Sequence, residues 1–190
     1  KLIVCGDLFD RGGEAVELQN FILELLEKDE VILIKGNHEE LLVDMLNSWH
    51  RASYLESHHN SNGTVDTVLQ LTSSRLADLY DNPSDVYYKM KETPFMQKIL
   101  PAMVDYFETE NYVFVHGWLP KNGKTVEGRR RASTQDWEQA RWLKWTENYD
   151  GQRPLEDKIL VCGHVPTFFA ADRDQDSADL FFGNGLIAVD

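Results

Sequence analysis

The sequence predicts an α/β protein in which a buried β-sheet is flanked by α-helices. Five short apolar runs rich in valine and isoleucine are typical of strands that are buried on both faces; they are LIVC (2–5), VILIK (31–35), YVFV (112–115), ILVC (159–162) and LIAV (186–189). Amphipathic patterns with helical spacing lie between these runs; they cover residues 14–28, 39–49, 65–79, 95–107 and 134–147. Strands that alternate with helices in this way are typical of a sheet covered by helices.

The chain of 190 residues is long enough for one domain with a substantial core, and we predict a single domain. Residues from about 48 to 111 contain no strand candidate and are predicted to form a helical insertion between sheet strands. Within it, the polar segment SHHNSNGT (57–64) is predicted to be a loop between helices, with His58 and His59 in solvent. Residues 121–131 carry five positive charges and one negative charge, and we interpret them as a solvated basic loop.

Composition excludes several classes of partner. A formal net charge of −13 argues against general affinity for nucleic acid or for anionic membranes. No stretch approaches the roughly 18 consecutive apolar residues of a membrane span. The two cysteines, Cys5 and Cys162, each end an apolar run just before a glycine. We interpret them as reduced core residues, which predicts a cytoplasmic protein.

Four of the predicted strands end in a glycine beside a residue that can bind a metal. The dipeptides are Gly6-Asp7, Gly36-Asn37, His116-Gly117 and Gly163-His164. Ligands of open α/β sheets lie beyond the carboxyl ends of the strands, so these side chains are expected to converge on one metal. Two oxygen donors and two imidazoles suit Mn, Fe or Zn better than calcium. Each feature alone has a structural interpretation, such as a Gly-Asp turn or an asparagine N-cap, and only their coincidence indicates a metal site.

The segment GDLFDRG (6–12) places two carboxylates and a guanidinium in one turn. Asp7, Asp10 and Arg11 could simply pair on the surface. They could also divide between a metal and a phosphate, because the planar guanidinium of arginine matches phosphoryl oxygens better than the ammonium of lysine does.

Together these motifs resemble the phosphoprotein phosphatase (PPP) family of calcineurin-like metallophosphoesterases, with the bacterial and phage serine/threonine phosphatase branch the most similar. The motifs are G-D-x-x-D-R-G (6–12), G-N-H-E (36–39), H-G (116–117) and G-H-x-P-T (163–167), in the family's order along residues 1–190. Pro166 stands where other metallophosphoesterases carry the second histidine of G-H-x-H, which favours the PPP branch. The resemblance implies a calcineurin-like fold with a β-sandwich core flanked by α-helices.

The resemblance also implies a centre of two divalent ions (Mn, Fe or Zn). In that centre Asp7 would bridge the two ions, and three residues would complete the protein ligands of the second ion, namely Asn37, His116 and His164. The family's first motif, D-x-H-G, is expected on a strand before residue 1, so we interpret the chain as truncated at its N-terminus. In this form only the second metal site would be nearly complete, and the protein would be nearly inactive or would bind one ion instead of two.

The catalytic roles implied by the resemblance fall on the first two motifs. Arg11 would bind the substrate phosphate, and His38 would be the general acid, oriented by Asp10. A second phosphate-binding arginine is expected between the H-G and G-H motifs. We predict Arg141 for this role, with the arginines at 129–131 as competitors.

The sequence therefore predicts a metal-dependent hydrolase of phosphomonoesters, acting on phosphoserine or phosphothreonine in a phosphorylated protein. Two alternatives stay open at this stage. A bis(5'-nucleosyl)-tetraphosphatase or other nucleotide phosphoesterase would carry nearly the same motifs. A catalytically silent binding protein on the same fold is conceivable because D-x-H-G is missing, although such a protein has no need of His38, Arg11 and Asn37.

Overall fold

A computed structural model describes residues 1–51, 53–170 and 179–190. All five predicted strands are present, at β1 (Leu2–Val4), β2 (Val31–Leu33), β4 (Tyr112–Phe114), β5 (Ile159–Cys162) and β7 (Leu186–Ala188). The described residues also form two strands that were not predicted, β3 (Phe107–Glu108) and β6 (Phe181–Gly183). With helices accompanying both sheets, the α/β class predicted from the sequence is confirmed.

The chain forms two compact units that alternate along the sequence. Unit 1 comprises Lys1–Ile3, Asp7–Ile32 and His38–Met103, and unit 2 comprises Val4–Gly6, Leu33–Asn37 and Val104–Asp190. Strands β1 and β2 form a two-stranded sheet, and the unit boundary runs through both of them. One domain with an insertion at about 48–111 stays a prediction.

Unit 1 is helical apart from its parts of β1 and β2. Its helices are α1 (Ala15–Glu27), most of α2 (Asn37–Asn47), α3 (Ser57–Ser61), α4 (Thr64–Thr72), α5 (Leu76–Asp81), α6 (Pro83–Lys91), a π-helical turn (Phe95–Ile99) and the short α7 (Leu100–Ala102). The single helix predicted over 65–79 is wrong, because Ser73 adopts a left-handed conformation (φ 52°) that ends α4. The predicted loop over 57–64 is also wrong in part, since α3 occupies most of it.

An apolar core in unit 1 anchors the turn that carries the first predicted motif. Phe9 is buried, and its ring packs edge-on against Phe95 with 5.1 Å between the ring centroids. The side-chain oxygen of Gln19 accepts a hydrogen bond from the backbone N–H of Phe95 at 2.9 Å, which joins α1 to the π-helical turn. The middle of the turn at 6–12 is therefore held by the buried ring of Phe9.

Unit 2 is built on a five-stranded sheet in the order β3-β4-β5-β7-β6. The central strands β4, β5 and β7 are parallel, and the two edge strands are antiparallel. Because parallel strands end at the same edge of a sheet, the residues that follow β4 and β5 come out side by side. These are His116 and His164, and the backbone N–H of Gly163 donates to the carbonyl of His116 at 2.8 Å.

The helices of unit 2 follow the H-G motif. They are α8 (Val126–Arg131), α9 (Thr134–Arg141), α10 (Trp145–Asn148) and a 3-10 turn (Thr167–Phe169). The predicted helix over 134–147 is thus two helices. The predicted solvated loop over 121–131 is wrong for Arg129, which is buried in α8 and donates to the Glu108 carboxylate at 3.0 Å and to the Gly123 carbonyl at 3.0 Å.

The two cysteines are free thiols in unit 2, in agreement with the prediction that they are reduced. Cys162 is fully buried, whereas Cys5 is only half-buried. Burial, with the charge of Asp190 adding to it, raises the pKa of Cys5 to about 11, so this thiol stays protonated and unreactive at neutral pH. Within the described ranges, no helix is long and apolar enough to cross a membrane. The cytoplasmic location stays a prediction.

Candidate functional site

The predicted site residues divide equally between the two units. Unit 1 contains Asp7, Asp10, Arg11 and His38. Unit 2 contains Asn37, His116, Arg141 and His164.

In unit 1, the turn at 6–12 is tied to the beginning of α2 by reciprocal hydrogen bonds. The Glu39 carboxylate accepts from the backbone N–H groups of Asp7 and Leu8, at 3.2 and 2.8 Å. In return, Asp7 Oδ1 accepts from the backbone N–H of His38 at 3.1 Å. Carboxylates are favoured here because the first N–H groups of a helix lack intrahelical partners and carry a partial positive charge.

Two residues of this turn have a left-handed backbone. Asp7 has φ 53° and Arg11 has φ 69°. Aspartate tolerates this conformation, but arginine rarely adopts it. Backbone strain of this kind persists only where the surrounding structure enforces it, and it concentrates at functional sites. Among the described residues, His164 in unit 2 is another non-glycine residue in this region, with φ 71°.

The Asp10 carboxylate holds the imidazole of His38. Asp10 Oδ2 lies 2.8 Å from His38 Nδ1 and also accepts from the Thr64 hydroxyl at 2.8 Å. The other oxygen, Oδ1, accepts from the Thr67 hydroxyl at 2.6 Å. Since a carboxylate only accepts, His38 Nδ1 carries a proton, and the ring presents Nε2 on its other side, 3.8 Å from Asp7 Oδ2.

The surroundings of His38 favour its protonated form. Burial acts most strongly on this imidazole and by itself lowers its pKa. The hydrogen bond to Asp10 and the negative charges of Asp7 and Asp10 together outweigh burial and the charge of Arg11, so the pKa of His38 is raised above its usual value. A raised pKa keeps a proton on Nε2 over more of the neutral range, as a proton donor requires.

The Arg11 side chain is exposed and directed by the segment between α3 and α4. One terminal guanidinium nitrogen donates to Asn62 Oδ1 at 3.0 Å, and Asn62 in turn donates to the His58 carbonyl at 2.8 Å. Gly63 has a left-handed backbone (φ 86°), and a Cβ atom on it would lie 2.6 Å from the backbone nitrogen of Arg11. No L-residue with a side chain fits here without moving Arg11.

Gly63→Ala is therefore expected to destabilise the fold and, given the phosphate-binding role predicted for Arg11, to weaken phosphate binding. Left-handed backbone costs an L-residue about 1–2 kcal/mol, and the clash with Arg11 adds to this. Thermal unfolding and the inhibition constant of inorganic phosphate measure the two effects. Gly151→Ala is the matched control, because Gly151 has the same φ of 86° with open space around it. Suppose that both variants lose the same amount of stability and that both keep the wild-type inhibition constant for phosphate. Gly63 then does not position Arg11.

In unit 2, Asn37, His116 and His164 form a compact set of metal donors. Asn37 Oδ1 lies 2.8 Å from His116 Nε2, and ligand nitrogens of His116 and His164 lie within 4.8 Å of each other. His116 is 1 % exposed and Asn37 is 2 % exposed. A buried and a half-buried imidazole and an amide oxygen match the donor preference of Mn, Fe and Zn.

The hydrogen bonding of His116 supports this fit. His116 Nδ1 lies 2.6 Å from the carbonyl oxygen of Cys5, so Nδ1 must be the protonated nitrogen. In a neutral ring Nε2 then offers a lone pair, and it faces the oxygen of Asn37. A ring nitrogen and an amide oxygen that face one another are suited to share a cation, and metal-binding histidines commonly donate their other N–H to a backbone carbonyl in this way.

Two glycines of the motifs are required by close backbone packing in unit 2. A Cβ on Gly6, which has φ 88°, would lie 2.5 Å from His116 Nδ1. A Cβ on Gly117 would lie 2.5 to 2.8 Å from the carbonyl oxygens of Ala140, Arg141 and Leu143. The glycines thus let the histidine and the neighbouring chain approach closely.

Arg141 is buried in unit 2, with 3 % of its surface exposed, and its guanidinium is paired with the carboxylate of Asp105. This partner would compete with a phosphate for the same donors. The assignment of Arg141 as the second phosphate-binding arginine stays a prediction.

Several residues that build the site were missed in the sequence. Glu39 was part of a recognised motif but had no role assigned, although its position in the first turn of a helix could have suggested one. Thr64 and Thr67 lie more than 50 positions from the carboxylate that they bind, and nothing local marks them. The carbonyl of Cys5 has no signal in the sequence, because every residue has a backbone carbonyl.

Comparison with known proteins agrees with this chemistry. A search of curated proteins gives no match. The family model described as calcineurin-like phosphoesterase matches residues 1–188, almost the whole chain. On this match, and with the donor sets described above, the chain belongs to the calcineurin-like phosphoesterase family.

Proposed function

We propose that this protein is a serine/threonine protein phosphatase. Membership of the family supports metal-dependent hydrolysis of phosphoesters. The single observation that carries the finer assignment is the pair formed by His38 and Asp10, a buried imidazole whose Nδ1 is held by a carboxylate at 2.8 Å. Such a pair is suited to protonating a strongly basic leaving group, and the alkoxide of serine or threonine is one.

The metal ligands in this proposal are Asp7, Asn37, His116 and His164, with Mn, Fe or Zn as the ions. Asn37 and the two histidines are the donor set of unit 2. Asp7 directly follows Gly6, which also belongs to unit 2 and which has no room for a side chain because His116 packs against it. When bound, two such ions supply Lewis-acid activation of water and of the phosphoryl group.

The side chains of the protein perform the remaining steps. The exposed guanidinium of Arg11 binds two oxygens of the phosphoryl group and orients it. As the P–O bond to the serine or threonine oxygen breaks, His38 Nε2 gives its proton to that oxygen, which leaves as an alcohol. Asp10 stabilises the imidazolium before transfer and keeps the ring from rotating, while Thr64 and Thr67 fix Asp10.

The same pair would contribute more to hydrolysis of a phosphomonoester than to hydrolysis of a dinucleoside tetraphosphate. Cleavage of a phosphoanhydride releases a phosphate, which is a much weaker base than an alkoxide and leaves readily without a proton. General acid catalysis contributes most when the departing oxygen is strongly basic. A built proton donor therefore favours a phosphomonoester of an alcohol.

A direct competition of substrates tests this proposal. The full-length protein, assayed with Mn²⁺, is expected to show a higher kcat/KM on a phosphothreonine peptide than on a dinucleoside tetraphosphate. Faster turnover of the nucleotide would replace the proposal with a nucleotide phosphoesterase. No turnover of either substrate by metal-loaded protein would indicate a catalytically silent member of the family.

A further inference from the structure

A second group of potential metal ligands lies in unit 1, outside the residues assigned above. It consists of Asp44 on α2 and of His58 and His59 on α3. Each of the three offers a ligand atom, and these atoms all lie within 4.8 Å of one another. The sequence had predicted both histidines in solvent; this is right for His58 and wrong for His59, which is fully buried.

The buried imidazole of His59 lacks the partners that a buried polar group needs. Its exposed fraction is 0 %, and neither of its ring nitrogens has a hydrogen-bond partner among the residues that the structure describes. Buried side-chain nitrogens almost always have a hydrogen-bond partner. A buried imidazole in which neither nitrogen has one therefore indicates a ligand that the protein chain itself does not supply. Asp44 Oδ2 lies 3.8 Å from His59 Nε2.

The two histidines are arranged unusually for neighbours on a helix. Successive side chains of a helix normally point in different directions. Here the ring centroids are 4.0 Å apart, with an angle of 48° between the planes. Two imidazoles at this distance repel one another when both are charged, whereas two neutral rings can direct lone pairs toward one cation.

The environment of His59 also favours the neutral form that binds metals. Burial lowers the pKa of His59, and the neighbouring His58 lowers it further, against the opposing charges of Asp44, Glu56 and Asp10. A lowered pKa favours the neutral ring, which is the form that binds metals.

We propose that Asp44, His58 and His59 bind a zinc-like divalent ion that joins α2 to α3. Two imidazole nitrogens and one carboxylate oxygen, with water as the fourth ligand, form a common tetrahedral zinc set. Ligands at about 2.0–2.1 Å from zinc lie about 3.3 Å apart in this geometry. The separation of 3.8 Å between His59 and Asp44 is close to that distance, and Asp44 and His58 are exposed side chains that are free to adjust.

Such an ion would compensate for a weakness of α3. The helix has only five residues, and no side-chain hydrogen bond caps its N-terminus. Helices of this length are unstable without tertiary contacts. The carbonyl of His58 also accepts the hydrogen bond from Asn62, which binds Arg11. An ion on α3 would therefore steady the segment that directs Arg11.

Zinc titration of the intact protein tests the site. Wild type is expected to bind one more Zn²⁺ per chain than His58→Ala or Asp44→Asn. In either variant the affinity for that ion should fall by more than about 100-fold. Loss of a direct ligand costs more than the roughly 10–100-fold that is typical of groups that only orient ligands. Both substitutions fall on exposed positions, so folding is not at risk. Exposed His50 lies outside the cluster, and His50→Ala is the matched control that should keep the ion.

Cobalt supplies a second readout that does not depend on catalysis. Co²⁺ in a tetrahedral nitrogen and oxygen site gives visible absorption bands, and these should be present in wild type and in His164→Ala but absent in His58→Ala. Zinc should also raise the Tm of wild type by an increment that His58→Ala lacks. Equal Zn²⁺ stoichiometry and affinity in wild type, His58→Ala and Asp44→Asn would overturn the proposal, as would Co²⁺ bands that disappear only in His164→Ala.

Discussion

Replacing His38 by asparagine is expected to lower kcat on phosphoserine peptides by roughly 10²–10⁴-fold, the usual contribution of general acid catalysis. The same variant should keep much of its activity on nitrophenyl phosphate, because nitrophenolate is a weak base that leaves without a proton. Asparagine suits the position, since it can still donate to Asp10 and leaves the backbone N–H that binds Asp7 in place. The quantity to measure is the ratio of the two kcat losses.

Two controls make this result specific. The metal content of His38→Asn must equal that of wild type, because Asn37 is its neighbour and is a proposed ligand. His50→Asn makes the same chemical change at an exposed histidine and should leave both activities unchanged. An equal loss of kcat on both substrates, with the metals retained, would show that His38 does not protonate the leaving group.

His164→Ala is expected to lower the affinity for Mn²⁺ by more than about 100-fold, because His164 is proposed as a direct ligand and not as a group that merely orients one. Activity on all phosphoesters should fall with metal occupancy and recover in part at high Mn²⁺. Equilibrium dialysis with metal analysis measures the affinity independently of turnover.

The left-handed backbone of His164 calls for a second variant. Alanine at φ 71° is strained, and that strain could disturb the site by itself. Asparagine tolerates this conformation but lacks the imidazole, so His164→Asn should be as deficient in Mn²⁺ binding as His164→Ala while being more stable. Wild-type Mn²⁺ affinity in His164→Ala would exclude His164 as a ligand.

The parts of the fold that follow from local patterns were predictable. All five apolar runs are strands, because a run such as ILVC is short, rich in β-branched residues and ended by glycine. The two imidazoles of unit 2 could also be placed together, since parallel strands bring His116 and His164 to one edge of the sheet. In both cases the deciding information lies within a few residues of the feature.

Other features depend on contacts that no local pattern reveals. The break in the helix predicted over 65–79 depends on the left-handed Ser73, a conformation that serine seldom adopts. The burial of His59 and of Arg129 depends on distant parts of each unit, and polar sequence around both residues had suggested solvent. The hydroxyls that fix Asp10 come from α4, so the sequence could suggest His38 as a proton donor but could not reveal the residues that hold its partner.

The bond between His116 and the carbonyl of Cys5 constrains how the protein is made. Its two ends are 111 residues apart, and at synthesis rates of about 5–20 residues per second the ribosome needs roughly 6–22 s to pass from one to the other. During that interval β1 and Cys5 have already been synthesised, but the imidazole of His116 that binds the Cys5 carbonyl has not. His164 arrives later still. The donor set of unit 2 therefore stays incomplete until His164 has been synthesised, and the newborn chain must remain free of aggregation until then.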